Sequence, residues 1–493
     1  MRKQTKLVAV LSAAALLAIG ASMTSFAKGW TEENGEWVYL DNYDDRVTQE
    51  WKKSGGNYYY LNDEGVMATN TLVEYKDDIY YVNENGVKVM NNWVSVENED
   101  DVDVDGKEVD VLWYYFGSAG KAVKATSGDL KVKTCDYAGG SGTFVFDADG
   151  HMVSGWTEVA TDDGYNLYYL GDENQGWAHT GWQYLEPSEK MDNDDYDDEM
   201  YFYFQSSGKA YKAAAGKNVT KYIDGRYYTF DENGAMVDGW FDAATPPAAS
   251  PSTASIADAY ADPNGVMKSG WVWTTARDDD DGDEAWFYLV SIRDNNKVSR
   301  SVAFNSNLND GKWRAKVIKG KTYLFDTDGE MLTGVKEITA ANTAQTNNGF
   351  YGIEDRVLKP GIYYFTKGDY TATAGQMVTG KAAVTDDGET YYYHFDKTTG
   401  KAYTAGVKDS ILYGEDGKRI AADDGNANMV YTLDFDAELY GSSVDAASNG
   451  TIPAGKEVIV SSSGKIRKSG SVKIDGVRYT VENYIVTDSV VVD

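Results

Sequence analysis

Three aromatic registers run in step along the first part of the chain, a pattern that a single compact domain does not produce. Trp30, Trp51, Leu72 and Trp93 lie 21 residues apart, Tyr39, Tyr60 and Tyr81 keep the same interval, and Trp37, Tyr58 and Ile79 hold a third register. A fixed period of this length means one supersecondary unit written repeatedly, each copy burying its apolar face on the next. Each unit reads as Trp, a polar loop, an aromatic triplet and a Gly-containing turn such as LNDEGVM (61–67) or VNENGVKVM (82–90).

One unit reads as a β-hairpin. In RYYTFDENGAMV (226–237), alternation puts Tyr228 and Phe230 on one face and Tyr227 and Thr229 on the other. Asn233-Gly234 is expected to supply the positive φ angles of a tight hairpin turn, with Met236 opening the returning strand. A lone hairpin is marginal in water, so its aromatic rows must be covered by the next hairpin along. The expected fold is all-β, a solenoid of stacked β-hairpin repeats in two arrays with a small β-rich C-terminal cap or domain. Composition agrees: 38 Tyr, 13 Trp and 50 Gly against only 7 Pro favour short strands and tight turns over long helices.

Past residue 93 the unit lengthens. FDADGHM begins at 146, FDENGAM at 230 and FDTDGEM at 325, alongside the related segments WYYFGSAGKAVKA (113–125), YFYFQSSGKAYKA (201–213) and YYYHFDKTTGKAYTA (391–405). Acidic runs at 96–110, 189–200 and 276–285 fall between a Trp and the next aromatic triplet, and are expected to be freely solvated hairpin tips. The Pro, Ala and Ser stretch ATPPAASPSTAS (244–255) reads as a linker. The expected divisions are therefore a first array over 28–242, a linker over 243–258, a second array over 259–420 and a β-rich segment over 421–493. Within that last segment, SSGKIRKSGSVKIDGVRYTVENY (462–484) reads as a degenerate final copy.

Residues 1–27 have the form of a signal peptide: Arg2, Lys3 and Lys6 precede an apolar run, and Ser25-Phe26-Ala27 offers a small-x-small cleavage site. No later run approaches a membrane span, so a secreted protein that is not embedded in a membrane is expected. The formal net charge of −32 disfavours nucleic acid and anionic lipid as partners, because binding either needs Lys and Arg to replace counterions. A single cysteine, Cys135, cannot close an intrachain disulfide.

The segments GWTEENGEWVYL (29–40) and GRYYTFDENGAMVDGW (225–240) resemble the choline-binding, cell-wall-binding repeat family, to which glucan-binding repeats are related. That resemblance implies a hairpin solenoid attached non-covalently to the cell envelope, with aromatics of consecutive hairpins caging a quaternary ammonium group. The residue types suit it, since Trp has the strongest ring-face attraction for a cation and Tyr and Met complete an apolar, adaptable wall. Carried over by position, the candidate cages are Trp30 and Trp37 with Tyr58 or Tyr59, Trp51 with Tyr58 and Tyr80, Trp93 with Trp113, and Trp271 with Trp286. Leu72 and Ile79 replace both cage aromatics in the third repeat. A repeat aromatic can equally be plain core. The implied partner is a cell-wall polymer, choline-bearing teichoic acid or glycan, with a host or partner protein as a further reading.

No enzymatic motif stands out. There are three His; His151 occupies the variable position before Met in FDADGHM and reads as a surface slot. HExxH, GxSxG and Cys/His pairings are missing from the sequence. Asp101, Asp103, Asp105 and Gly106 begin like an EF-hand loop, but position twelve is Leu112, which leaves only loose calcium binding by acidic loops and no other cofactor. The leading expectation is a non-catalytic surface protein. The alternatives are a wall hydrolase with its catalytic part in 421–493, or an adhesin whose repeats bind glucan or a host protein.

Overall fold

The computed structural model describes residues 29–126, 128–191, 196–242, 258–275, 282–294, 297–302, 313–326, 329–339, 353–368, 373–445 and 449–492. The leader at 1–27 and nearly all of the stretch at 243–258 lie outside them. The described residues contain β-strands and turns and no helix, so none long and apolar enough to cross a membrane. They form small sheets, most of two antiparallel strands.

The repeating element is the hairpin between the Trp strand and the aromatic strand: Trp30–Glu33 with Glu36–Tyr39, Glu50–Ser54 with Asn57–Leu61, Thr71–Tyr75 with Asp78–Val82. Its tight turn therefore precedes the aromatic triplet, where Asn34 and Gly35 both take positive φ. The Gly turn after the triplet plays a different part. In 226–237 only Gly234 has positive φ, and the Asp231 carboxylate accepts the N–H groups of Asn233 and Ala235. Asn62, Asn83, Asp147 and Asp262 do the same in their own turns. The recurrent Asp or Asn is a turn former, which corrects the expectation of a tight Asn-Gly hairpin.

After that turn the chain returns as a single bridge and locks onto the previous hairpin. Met67 donates its N–H to the Trp37 carbonyl (2.7 Å), Lys88 to Tyr58 (2.9 Å), Ala122 to Ile79 (2.8 Å) and Met152 to Trp113 (2.8 Å). Each rung is thus tied to the one before it by backbone as well as by rings, and strands are buried on both faces, as with Tyr114 and Tyr115.

The chain divides into two compact units, one of residues 1–223 with 228–237 and the other of 224–227 with 238–493. In the second, strands Gly239–Asp242 and Asp258–Ala261 pair with each other, so the Pro-rich stretch connects two strands of one hairpin. Residues 421–493 are joined to the repeats before them. Ala437–Leu439 pairs in parallel with Gly406–Lys408, and Ile466 bridges Val460 and donates its N–H to the Ser410 carbonyl. Leu433, Val458, Val460 and Ile466 form an aliphatic core there.

Two further expectations change. The acidic excursion at 96–110 folds back, because alternation turns Val104 inward against Val145 and Tyr168 while Lys107 Nζ donates to the carbonyls of Ser154 and Trp156. His151 is buried: its Nδ1 lies 2.9 Å from an Asp147 oxygen and its ring meets Tyr114 edge-on, so the position is covered by the neighbouring rung.

Candidate functional site

Seven Trp side chains of the repeats share one pair of partners. Each contacts the Tyr directly opposite in its own hairpin, and the centroid separations run only from 5.0 to 5.3 Å for Trp30–Tyr39, Trp51–Tyr60, Trp93–Tyr115, Trp156–Tyr169, Trp182–Tyr203, Trp240–Tyr260 and Trp271–Tyr288. Each also meets an aromatic of the following rung, as in Trp30–Tyr59 (5.5 Å), Trp51–Tyr80 (5.2 Å) and Trp271–Tyr323 (4.8 Å). Edge-on and tilted geometries of this kind are the favoured ones.

These contacts leave an inter-rung station with four walls. At the first, Trp30, Tyr59 and Met67 are buried together and Trp37 packs on them half-buried. Tyr59, and not Tyr58, is the Tyr that closes this group. At the second, one period on, Trp51, Tyr58 and Tyr80 surround a side chain that sequence reading passed over: the Lys88 ammonium lies 5.1 Å from the Trp51 ring, 4.4 Å from Tyr58 and 5.4 Å from Tyr80. It also donates to the Ala119 carbonyl at 3.1 Å, and Lys53 reaches the Tyr58 ring at 5.3 Å. Burial and the nearby Lys121 charge hold the Lys88 pKa below its ordinary value. A cation held against ring faces gains ~0.5–1 kcal/mol when exposed and ~2 when desolvated.

At the third station Leu72, Ile79 and Ala122 pack around Tyr114. The fourth is sealed: Trp93 and Trp113 are each 6% exposed, packed with Phe144 and Met152, and Trp93 Nε1 donates to the Asp136 carbonyl. In the second unit Trp271 and Trp286, 6.3 Å apart and both half-buried, stand with buried Tyr323 and Met331. That is the residue set of the first station.

The fourth wall follows a rule. Where the residue whose carbonyl is bonded is aromatic, the bonding residue is Met or a cation: Trp37 with Met67, Tyr58 with Lys88, Trp113 with Met152, Tyr227 with Met267, Tyr392 with Arg419. Where it is Ile or Leu, the partner is Ala: Ile79 with Ala122, Leu167 with Ala210, Ile362 with Ala402. The SGKA-type turns therefore set Ala beside Ile or Leu, and the turns ending in Met or a cation set that residue beside an aromatic. The turn Gly of the next rung lies on the same side chain; a Cβ at Gly86 would stand 2.9 Å from Met67, at Gly120 2.9 Å from Lys88, at Gly176 2.1 Å from Met152. The signal was present in the sequence, since Arg46, Met67 and Lys88 keep the 21-residue interval.

Among the described residues, one group of side chains is close enough to hold a metal ion: Asp147, Asp149 and His151. The Asp147 carboxylate there is already engaged by the turn N–H groups and His151.

Residues 46–87, two full periods, match the family model described as choline-binding repeat. Similar solved structures include choline binding protein F of Streptococcus pneumoniae, 19% identical over 80% of this chain and 99% of that one with a TM-score of 0.24. They also include the modular autolysin LytC of the same organism, 16% identical over 63% of this chain and 55% of that one, TM-score 0.32. The choline binding domain of Spr1274, also from S. pneumoniae, is 27% identical over 20% of this chain and 95% of that one, TM-score 0.14. The chain spans about half the length of the autolysin. No curated protein matches.

Proposed function

We propose that this chain is a secreted, non-catalytic surface protein that attaches to the cell wall by taking quaternary ammonium groups of a choline-bearing polymer into aromatic stations between hairpins. The observation that carries the reading is the Lys88 ammonium among Trp51, Tyr58 and Tyr80, which supports the view that this ring geometry suits a cation. Trp30, Trp37, Tyr59 and Met67, and Trp271, Trp286, Tyr323 and Met331, repeat that arrangement with an apolar thioether where Lys88 brings a charge. The family match at 46–87 supports choline as the cation, and the acidic balance suits a cationic ligand. Trp93 and Trp113 enter the proposal as core and not as a groove.

The test is retention of the purified full chain on choline-bearing cell walls. Free choline should release it, and wall turbidity should stay constant during incubation. Release by glucan oligosaccharides but not by choline would replace the ligand, and clearing of the wall would replace the non-catalytic assignment.

A further inference from the structure

We infer that Lys88 is the resident ligand of its own station: the space bounded by Trp51, Tyr58 and Tyr80 is filled from within the chain and takes no external quaternary ammonium, so ligand binding is confined to stations that carry Met. The inference rests on the proposed ammonium binding and adds to it a residue that decides which stations work.

Three observations converge. Lys88 occupies the place of Met67 one period earlier, with the same inter-rung backbone bond, N–H to the carbonyl of Tyr58 as Met67 bonds Trp37. Its stem lies where Met67 lies, against the Gly of the following turn, with a Cβ at Gly120 reaching 2.9 Å from Lys88 Cδ just as one at Gly86 would reach 2.9 Å from Met67 Sδ. Its charged end has no carboxylate partner among the described residues and sits instead within 5.4 Å of three ring centres. A side chain that is tethered at both backbone and stem meets the rings at a very high effective concentration, so a free cation of similar affinity cannot displace it.

The device recurs where the Met position is next cationic. Arg419 donates its N–H to the Tyr392 carbonyl, its stem lies against Gly464, and its guanidinium stands 3.9 Å from the Tyr392 ring centre. Two substitutions of Met by a cation, in two units, thus give the same self-contact. Arg46, at the equivalent place in the first rung, pairs with the Glu33 carboxylate instead.

The experiment uses the full chain with lysine labelled at Cε, and Lys88→Met to assign the signal. The Lys88 methylene protons should resonate upfield of the exposed lysines because of the ring currents; a position among the exposed lysines overturns the inference. Choline titration by calorimetry should give one more site per chain for Lys88→Met than for wild type, while Lys88→Arg keeps the wild-type number. Equal, non-zero numbers for wild type and Lys88→Met would overturn it. If neither form binds choline but Lys88 is shifted upfield, the proposed function fails and the self-contact stands.

Discussion

The Lys88 ammonium stands 4.4 Å from the centre of the Tyr58 ring, and the Lys88 N–H donates to the Tyr58 carbonyl at 2.9 Å. One rung is thereby held to another through both backbone and charge, at a station that one period earlier is Trp37 with Met67. The recognition proposed for this chain is a variation on the contact that stacks it.

Removing one ring wall should weaken a station without dissolving the stack. Trp37→Ala and Trp286→Ala are each expected to lower choline affinity at their own station by roughly 2- to 30-fold, the equivalent of one ring–cation contact of about 0.5–2 kcal/mol. Leu167→Ala, at a station closed by Ala210 and 2% exposed, should leave choline binding intact and cost about 2–5 kcal/mol of stability. Calorimetric titration and urea unfolding read the two effects separately.

Turn glycines should fall into two groups. Gly176 has φ +67° and a Cβ there would lie 2.1 Å from Met152 Sδ, whereas Gly216, at φ +65°, has nothing within 4 Å of that position. Gly216→Ala should cost about 1–2 kcal/mol, the left-handed backbone alone. Gly176→Ala should cost a further ~1–3 kcal/mol for overpacking. Shortening the opposing side chain in Gly176→Ala/Met152→Ala should recover part of the second contribution and none of the first, a double-mutant cycle measurable by urea denaturation.

That packing explains what the sequence conveyed and what it did not. The 21-residue spacing of Trp30 and Trp51 carried the hairpin stack, because a fixed interval forces equivalent residues into equivalent places. Which turn closes the hairpin was not legible, since Asn233-Gly234 has the composition of a tight hairpin turn and only the Asp231 carboxylate, bonding N–H groups two and four residues on, makes it a wider one. Trp37 and Trp113 hold the same place in their hairpins, yet Trp113 is sealed because Phe144 and Met152, about 30–40 residues on, pack with it. Lys88 was passed over because a Lys in a polar turn reads as solvated until the following rung is laid over it.

Acid should weaken the second unit through Asp396. Burial alone would raise its pKa, but the N–H groups of Thr398, Thr399 and Val444 and the Thr399 hydroxyl all donate to the carboxylate and hold it at about 2. A carboxyl with a folded pKa below its unfolded value of about 3.8 contributes stability that is fully present above pH 4 and lost as pH falls towards 2. Asp396→Asn should therefore cost about 2 kcal/mol at pH 7 and progressively less as pH falls from 4 to 2. Chemical denaturation of both forms across that range measures the difference.

Cys135 should be inert in the folded chain. It is 2% exposed, beside Phe144, and burial pushes its thiol up to about 12. Thiol-disulfide reagents should label it only after unfolding, at the rate of a free cysteine; fast labelling of the native protein would mean that this rung opens.

The central claim is that a choline headgroup enters the stations that carry Met and is kept out of the one that carries Lys88. A crystal of the full chain grown with choline tests both halves at once. The account predicts a trimethylammonium group bounded by Trp30, Trp37, Tyr59 and Met67, with the Lys88 ammonium unmoved among Trp51, Tyr58 and Tyr80. Choline found beside Trp51 with Lys88 swung out to solvent, or choline at neither station, would contradict it.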